Sequence, residues 1–243
     1  MNVSNLEELS KALIECQQII SDLPKETSWQ NYFYYCKGRP KRPPQKSIVI
    51  YSCCLCFPVP YASLPKSIVK CSTCKIIYMC RDPKDVFVSL WHFISKHLET
   101  DVMSWEEAFD KFCTGFSGYG PFWDNILGYW KASLENPDKI LFLKYEDLQN
   151  NTLFYVKRIA EFMGCPFSVE EERQGIVQKI VNFCSFESLS NLQVNKSNKI
   201  SNEILLKVEN NAFFRKGKIG DWENYLTPDM AKRLDQIIKN KFS

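Results

Sequence analysis

Arg81 and Ser89 are residues whose types and setting suit chemistry on an anion. Lys75 to Cys80 (Lys-Ile-Ile-Tyr-Met-Cys) is a short apolar, β-branched run, Arg81-Asp82-Pro83 is a turn, and Val86 to Leu98 takes helical spacing. A helix N-terminus at the carboxyl end of a parallel strand presents unsatisfied N–H groups and a partial positive charge, and an arginine at the turn adds a bidentate phosphate donor. Ser89, seven residues beyond Asp82, adds a hydroxyl. On local pattern alone, an arginine and a serine so spaced read more often as a surface pair.

Cys53-x-x-Cys56 and Cys71-x-x-Cys74, with fourteen residues between the two pairs, come close to zinc-ribbon spacing. Against that reading, Cys74 and Cys80 belong to a run that reads as a buried strand, and the segment between the pairs lacks the turn glycines of zinc knuckles. Reduced thiols packed as small hydrophobes are the expectation, with no metal. The two histidines, His92 and His97, fall on the helix after Ser89 and read as structural or surface groups.

The elements that position these residues alternate. Leu6 to Ile20 has helical spacing and is closed by Pro24. Lys37 to Lys46 packs five basic residues and three prolines into ten positions, which suits a solvated linker and neither a helix nor a central strand. Ser47 to Phe57 has strand-like composition. After the strand at Lys75 and the helix at Val86, Ser104 with Glu107 makes a capping box, a helix covers Trp123 to Leu134, and Lys139 to Tyr145 reads as a second buried strand. Asn151 or Thr152 caps a helix to Phe162 closed by Gly164, Ser168 with Glu171 caps one helix to Phe183, and Thr227-Pro228 opens a last helix through Ile238. Strands alternating with helices predict an α/β fold around a parallel, helix-covered sheet.

A chain of 243 residues suits one large domain. Thirty-one Lys and Arg against 28 Asp and Glu leave a net charge of +3, too small and too evenly spread for a nucleic-acid surface, so any anion site must be local. The longest apolar run, Ile48 to Val59, is broken by Ser52 and Pro58 and falls short of the ~20 residues of a membrane-spanning helix. Glu7, Glu8 and Glu15 make Met1 to Ile20 unlike a signal peptide, and eleven cysteines without framework spacing then read as thiols of a cytosolic protein.

The segment Tyr78-Met-Cys-Arg81-Asp-Pro-Lys-Asp-Val86-Phe-Val-Ser89-Leu-Trp-His-Phe93 resembles the nucleotide motif of plant-type cytosolic sulfotransferases. Further segments agree with that family in order and spacing: Pro60-Tyr-Ala-Ser-Leu-Pro65, Tyr119-Gly-Pro-Phe-Trp123, Leu143-Lys-Tyr-Glu-Asp147, Cys184-Ser-Phe186 and Phe214-Arg-Lys-Gly-Lys-Ile-Gly-Asp-Trp222. The resemblance is nearly continuous from Pro60 to Phe242, and Leu23 to Gly38 is similar to the family's N-terminal segment.

What the resemblance implies is a three-layer α/β fold of the P-loop nucleotide-kinase-like type. It also implies transfer of a sulfuryl group from 3′-phosphoadenosine 5′-phosphosulfate (PAPS) to a hydroxyl of a small molecule, with PAPS as co-substrate. Arg81, Ser89, Arg215, Lys216 and Gly217 would hold the 3′-phosphate, while Tyr145 and the segment Cys184, Ser185 and Phe186 would line the adenosine pocket. The residue types suit these roles: charge for a dianion, a glycine for close backbone approach, and an aromatic face for a purine. Without the resemblance, Tyr145 and Phe186 would read as ordinary core aromatics.

Two departures from the family pattern bear on catalysis. The family's Pro-Lys-Ser-Gly-Thr-Thr-Trp loop, which cradles the 5′-phosphosulfate, has no counterpart; Pro65-Lys66-Ser67 continues Ile-Val-Lys and belongs to the Tyr-Ala-Ser-Leu-Pro segment. The family's general base is a histidine two residues before a proline, and here that string reads Phe57-Pro58-Val59-Pro60. The resemblance therefore predicts a single domain over 1–243 in which 37–57 is an atypical linker. The phosphate-loop strand and helix would be missing or replaced. It predicts impaired or absent transfer, with a catalytically dead nucleotide-binding remnant or partner protein as the alternative function and a structural zinc module as a further one.

Overall fold

The computed structural model describes residues 48–52, 60–64, 68–69, 74–97, 103–116, 121–197, 199–202 and 206–242. The expected N-terminal helix and the basic linker of 37–46 lie outside them. Three strands, β1 (Ile48–Ser52), β2 (Lys75–Cys80) and β3 (Ile140–Lys144), form a sheet in that order. All pairs are parallel, with Ile48 opposite Lys75 and Ser52 opposite Met79 on one side of β2, and Ile76 opposite Ile140 and Cys80 opposite Lys144 on the other. Of the segment Ser47 to Phe57, with its strand-like composition, Ile48–Ser52 forms β1, and the rest lies outside the described residues.

β2 and β3 read as almost unbroken apolar runs because both of their faces are covered. On one face Tyr78 stacks on Tyr129 of helix α3 (Phe122–Glu135) with centroids 4.1 Å apart, and Trp130 of the same helix meets Phe142 edge-on at 5.2 Å. On the other, Ile77, Leu141 and Leu143 pack with Met79 beneath Tyr155, Ile159, Phe162 and Met163 of α5 (Thr152–Met163). Helices above and below make three layers over these strands, as an α/β reading requires.

β2 runs through the turn Arg81-Asp82 into α1 (Pro83–His97). A second core joins Val86, Phe87 and Val88 of α1 to Phe109, Phe112 and Cys113 of α2 (Trp105–Cys113) and to Leu226 and Leu234 near the C-terminus. Phe87 is its hub, with the rings of Trp105, Phe109 and Phe112 at 4.8, 5.2 and 5.4 Å. The closing helix α10 (Pro228–Phe242) starts where Thr227 Oγ1 accepts the Met230 N–H at 3.3 Å, and it carries Leu234 into this core.

The remaining elements are α4 (Tyr145–Asn150), α6 (Val169–Arg173), α7 (Ile176–Phe183), α8 (Phe186–Asn191), α9 (Gln193–Ser197) and the antiparallel pair β4 (Lys199–Asn202) and β5 (Leu206–Glu209). Short 3-10 turns follow at Asn210–Phe213 and Asp221–Asn224. The capping box of Ser168 and Glu171 is present, but the one helix expected from it to Phe183 is two. Gly175 takes φ +69°, a left-handed conformation open to glycine, and this ends α6 and lets α7 leave in a new direction.

Candidate functional site

Because Cys80 and Lys144 are register partners at the ends of β2 and β3, the residues that follow them emerge side by side at the carboxyl edge of the sheet. Those residues are Arg81 and Tyr145, and the Arg81 guanidinium lies 4.9 Å from the centroid of the Tyr145 ring. Cys80 itself is buried, and that burial, with Glu146 adding to it, pushes its thiol up to about 12, so it stays a neutral packing group.

Arg81 is 8% exposed and held on several sides. Its Nη1 donates to Ser89 Oγ at 3.4 Å, its Nη2 donates to Lys218 O at 2.8 Å, and Nη2 lies 3.3 Å from Asp85 Oδ2. Asp85 is fully buried in the first turn of α1, and it accepts the Gly220 N–H at 2.9 Å through Oδ2 and the Trp222 N–H at 3.1 Å through Oδ1. This one carboxylate therefore balances the arginine and fastens the C-terminal segment across the start of α1. Lys84 reinforces the joint, pairing with Asp235 at 2.6 Å while lying 4.7 Å from the centre of the Trp222 ring.

The segment so fastened carries Phe214 to Lys218. Gly217 takes φ +62°, and a Cβ there would stand 2.5 Å from Cδ2 of Phe186, so a glycine is required both by the backbone and by the ring. The Tyr145 hydroxyl donates to Gly217 O at 3.4 Å, and Phe186 meets Phe214 edge-on at 5.7 Å. Phe186 is placed by its own cap: Ser185 Oγ accepts the Ser188 N–H at 3.1 Å and opens α8.

Arg215 and Lys216 converge on buried Asp221. Lys216 Nζ donates to Asp221 Oδ1 at 2.8 Å, and Arg215 Nη1 lies 2.5 Å from Asp221 Oδ2 in an ion pair off the hydrogen-bonding angle. Burial pushes the Asp221 carboxyl up, but the Lys216 bond and the Arg215 guanidinium outweigh it and hold the carboxyl below its ordinary value. His92 sits on α1 beside this group, its ring 4.8 Å from that of Tyr225. Burial, then the nearby Arg215, lowers its pKa below the usual histidine value.

Arg81, Ser89, Tyr145, Phe186 and Gly217 are thus joined by direct contacts, and Arg215 and Lys216 flank Gly217 in the chain. Cys184 stands exposed at the end of α7 with its N–H donated to Ile180 O, and the Ser185 hydroxyl is engaged as a helix cap. The turn also differs from expectation. The Asp82 N–H donates to Glu146 Oε1 and the Lys84 N–H to Asp82 Oδ1, both at 2.8 Å, so two backbone donors at the helix start serve the protein itself. The donors left over are guanidinium: Nε of Arg81 and Nε of Arg215 are buried without a hydrogen-bond partner, while Nη1 of Arg215 is ion-paired with Asp221. Buried orphan donors of this kind fit a phosphate, which would satisfy them with charge-assisted bonds. Asp85 was missed in the sequence, although its place four residues after Arg81 is the spacing of a helical ion pair.

Pro58, Cys53, Cys56 and Cys71 lie outside the described residues, and Cys74 is buried just before β2. Among the described residues, no group of three or more His, Cys, Asp or Glu is placed to hold a metal ion.

A family model described as a sulfotransferase domain matches residues 17–243. The chain belongs to the sulfotransferase family. Among sulfotransferases it is 54% identical to cytosolic sulfotransferase 17 of Arabidopsis thaliana over 186 residues, which cover 76% of this chain and 54% of that protein. It is 50% identical to flavonol 4′-sulfotransferase of Flaveria chlorifolia over 188 residues, 76% of this chain and 58% of the relative. The chain thus spans a little over half the length of these curated relatives. Mouse sulfotransferase SULT7A1 complexed with PAP superposes with a TM-score of 0.62 at 27% identity, covering 75% of this chain and 63% of that one. Retinol dehydratase in complex with androsterone and inactive cofactor PAP gives 0.62 at 26% identity, covering 76% and 51%. Among the described residues, no helix is long and apolar enough to cross a membrane.

Proposed function

We propose that this sulfotransferase-family chain binds the 3′-phosphoadenosine half of PAPS and is disabled in sulfuryl transfer to the small-molecule hydroxyl its family would serve. The observation that carries the reading is the pair of arginines, Arg81 and Arg215, each with a buried Nε–H lacking a hydrogen-bond partner, near the Gly217 turn and the Tyr145 and Phe186 rings. Arg81 and Ser89 would take one side of the 3′-phosphate and Arg215, Lys216 and the Gly217 backbone the other. Phe186 and Tyr145 would offer aromatic faces to the adenosine. The PAP-bound neighbours support that ligand, and the names of the cytosolic relatives support a cytosolic site of action.

PAPS supplies an activated sulfuryl group, and transfer needs a cation at the bridging oxygen and a base at the acceptor. The seven residues after β1, Cys53-Cys-Leu-Cys-Phe-Pro-Val59, contain no glycine, no basic side chain and no hydroxyl. Nothing in that stretch offers the family's phosphosulfate cradle, and Pro58 occupies the place of the base. In this reading 1–243 is one sulfotransferase-like domain in which 37–57 replaces the phosphosulfate-loop region. Equilibrium dialysis with adenosine 3′,5′-bisphosphate and a turnover assay with labelled PAPS over a panel of phenols and alcohols test it together. Binding without turnover is expected, and Pro58→His alone should not restore the reaction. Turnover that disappears with Arg81→Ala would overturn the disabled reading, and absence of binding would overturn the site.

A further inference from the structure

His92 has no place in the phosphate contacts set out above, yet it lies among them. It follows Ser89 by three residues on α1, so the two side chains share a helix face, and Ser89 accepts from Arg81. Its Nε2 is buried without a partner. Its ring lies edge-on to Tyr225, whose own ring lies 5.9 Å from the Arg215 guanidinium and 5.3 Å from Lys216 Nζ. The charged and titratable groups facing it from the C-terminal segment are Arg215, Lys216, Asp221 and Tyr225. From its own helix, Ser89 and Ser95 flank it at three residues on either side.

We propose that His92 is a positioning residue of the anion site that takes up a proton when a nucleoside 3′-phosphate binds. The inference rests on the nucleotide reading above. With the site empty of anion, Arg215 and Lys216 oppose a further positive charge, and burial of the ring opposes it too, so the imidazole is neutral at neutral pH. A phosphate dianion seated on Arg81 and Arg215 reverses the local field and favours the imidazolium. Binding then becomes proton-linked: affinity rises as pH falls toward the ordinary histidine range. The phosphate's own response has the opposite sign, because a cationic site draws the second proton off a monoester and releases it.

The test is calorimetric titration of the full chain with adenosine 3′,5′-bisphosphate near pH 7 in buffers of different ionisation enthalpy. Net uptake of a fraction of a proton is expected, with affinity increasing roughly three- to tenfold from about pH 8 to about pH 6.5. His92→Gln, which keeps a donor and cannot take a proton, should abolish the uptake, leave only the phosphate's own small release and remove the rise in affinity at lower pH. Adenosine 5′-monophosphate, lacking the 3′-phosphate, should show no uptake. The wild-type buffer series decides the matter without the variant, and with two histidines in the chain the His92 ring resonance can be followed directly. Binding with no proton uptake, or an unchanged pH profile in His92→Gln, overturns the role of His92 and leaves the nucleotide reading standing. No binding by the wild-type chain at any pH overturns both.

Discussion

The carboxylate of Asp85 accepts the backbone N–H of Trp222 at 3.1 Å across a separation of 137 residues. With the Gly220 N–H on its other oxygen and Arg81 beside it, this fully buried group joins the first turn of α1 to the segment that carries Arg215 to Gly217.

Asp85→Asn keeps the shape, removes the charge and turns an NH2 group toward backbone donors that need an acceptor. Breaking a buried, charge-assisted network costs about 3–5 kcal/mol. At ~2–4 °C per kcal/mol for a chain of this size, the melting temperature should fall by roughly 6–20 °C. Thermal unfolding followed by circular dichroism checks it, and a change under 2 °C would show that the carboxylate is not the fastening point.

Gly217→Ala places a Cβ against Phe186 in a left-handed backbone that costs a non-glycine residue about 1–2 kcal/mol. The expected outcome is a folded chain with weakened binding of adenosine 3′,5′-bisphosphate. Phe186→Ala combined with it should recover part of the stability lost by the single change. A double-mutant cycle measures that coupling, and strict additivity would place the ring away from the turn.

Removal of either guanidinium, Arg81→Ala or Arg215→Ala, should weaken binding of adenosine 3′,5′-bisphosphate roughly ten- to a hundredfold, since a charge-assisted bond contributes ~1.5–3 kcal/mol. Cys71→Ser and a metal chelator should leave the affinity nearly unchanged. Dialysis or calorimetry ranks them. Loss of binding with the chelator but not with Arg215→Ala would favour the zinc reading.

Cys80 titrates only at about 12 in the fold, against an ordinary thiol near 9.0 in the unfolded chain. Between those values the unfolded state binds fewer protons than the folded one, so stability falls as pH rises through that window, by up to about 1.4 kcal/mol per pH unit for this group. Below pH 9 its contribution is fully present. Cys80→Ala should flatten the alkaline limb of a stability profile measured by urea unfolding, and an unchanged slope would assign that limb to other groups. At about pH 8, alkylation of the native chain should reach exposed Cys165 and Cys184 well before Cys80.

Much of this was legible in the residues because local chemistry and tertiary position agree. The run Lys75 to Cys80 is a strand end to end, since an apolar run closed by Arg-Asp-Pro has little alternative once both faces are covered. Ser104, Ser168 and Thr227 cap helices where their spacing predicts, because an N-cap needs only its neighbours. Gly175 broke a pattern that periodicity alone carried through, since whether a glycine leaves the helical region depends on what the next helix packs against. Arg81 and Ser89 were singled out by the family resemblance; spacing alone favoured a surface pair, and both are in fact buried. The Asp85 clasp was not legible, because its partners are backbone N–H groups, which have no signature in a sequence. The expectation of unsatisfied donors at the helix start failed for a similar reason: Glu146, which accepts the Asp82 N–H, comes from α4, the helix that follows the neighbouring strand.

The register that aligns Cys80 with Lys144 gives the site an uneven response to genetic change. Backbone pairing brings Arg81 and Tyr145 out side by side, and Ser89 and Asp85 then hold the guanidinium, so conservative replacements elsewhere in the flanking helices should leave their placement intact. A one-residue insertion or deletion inside β2 is different in kind, because side chains alternate between faces along a strand. Such an indel would keep the composition of the strand almost unchanged and still turn Arg81 to the opposite side, away from Ser89 and the Gly217 turn. Length, more than identity, is what those six residues must preserve.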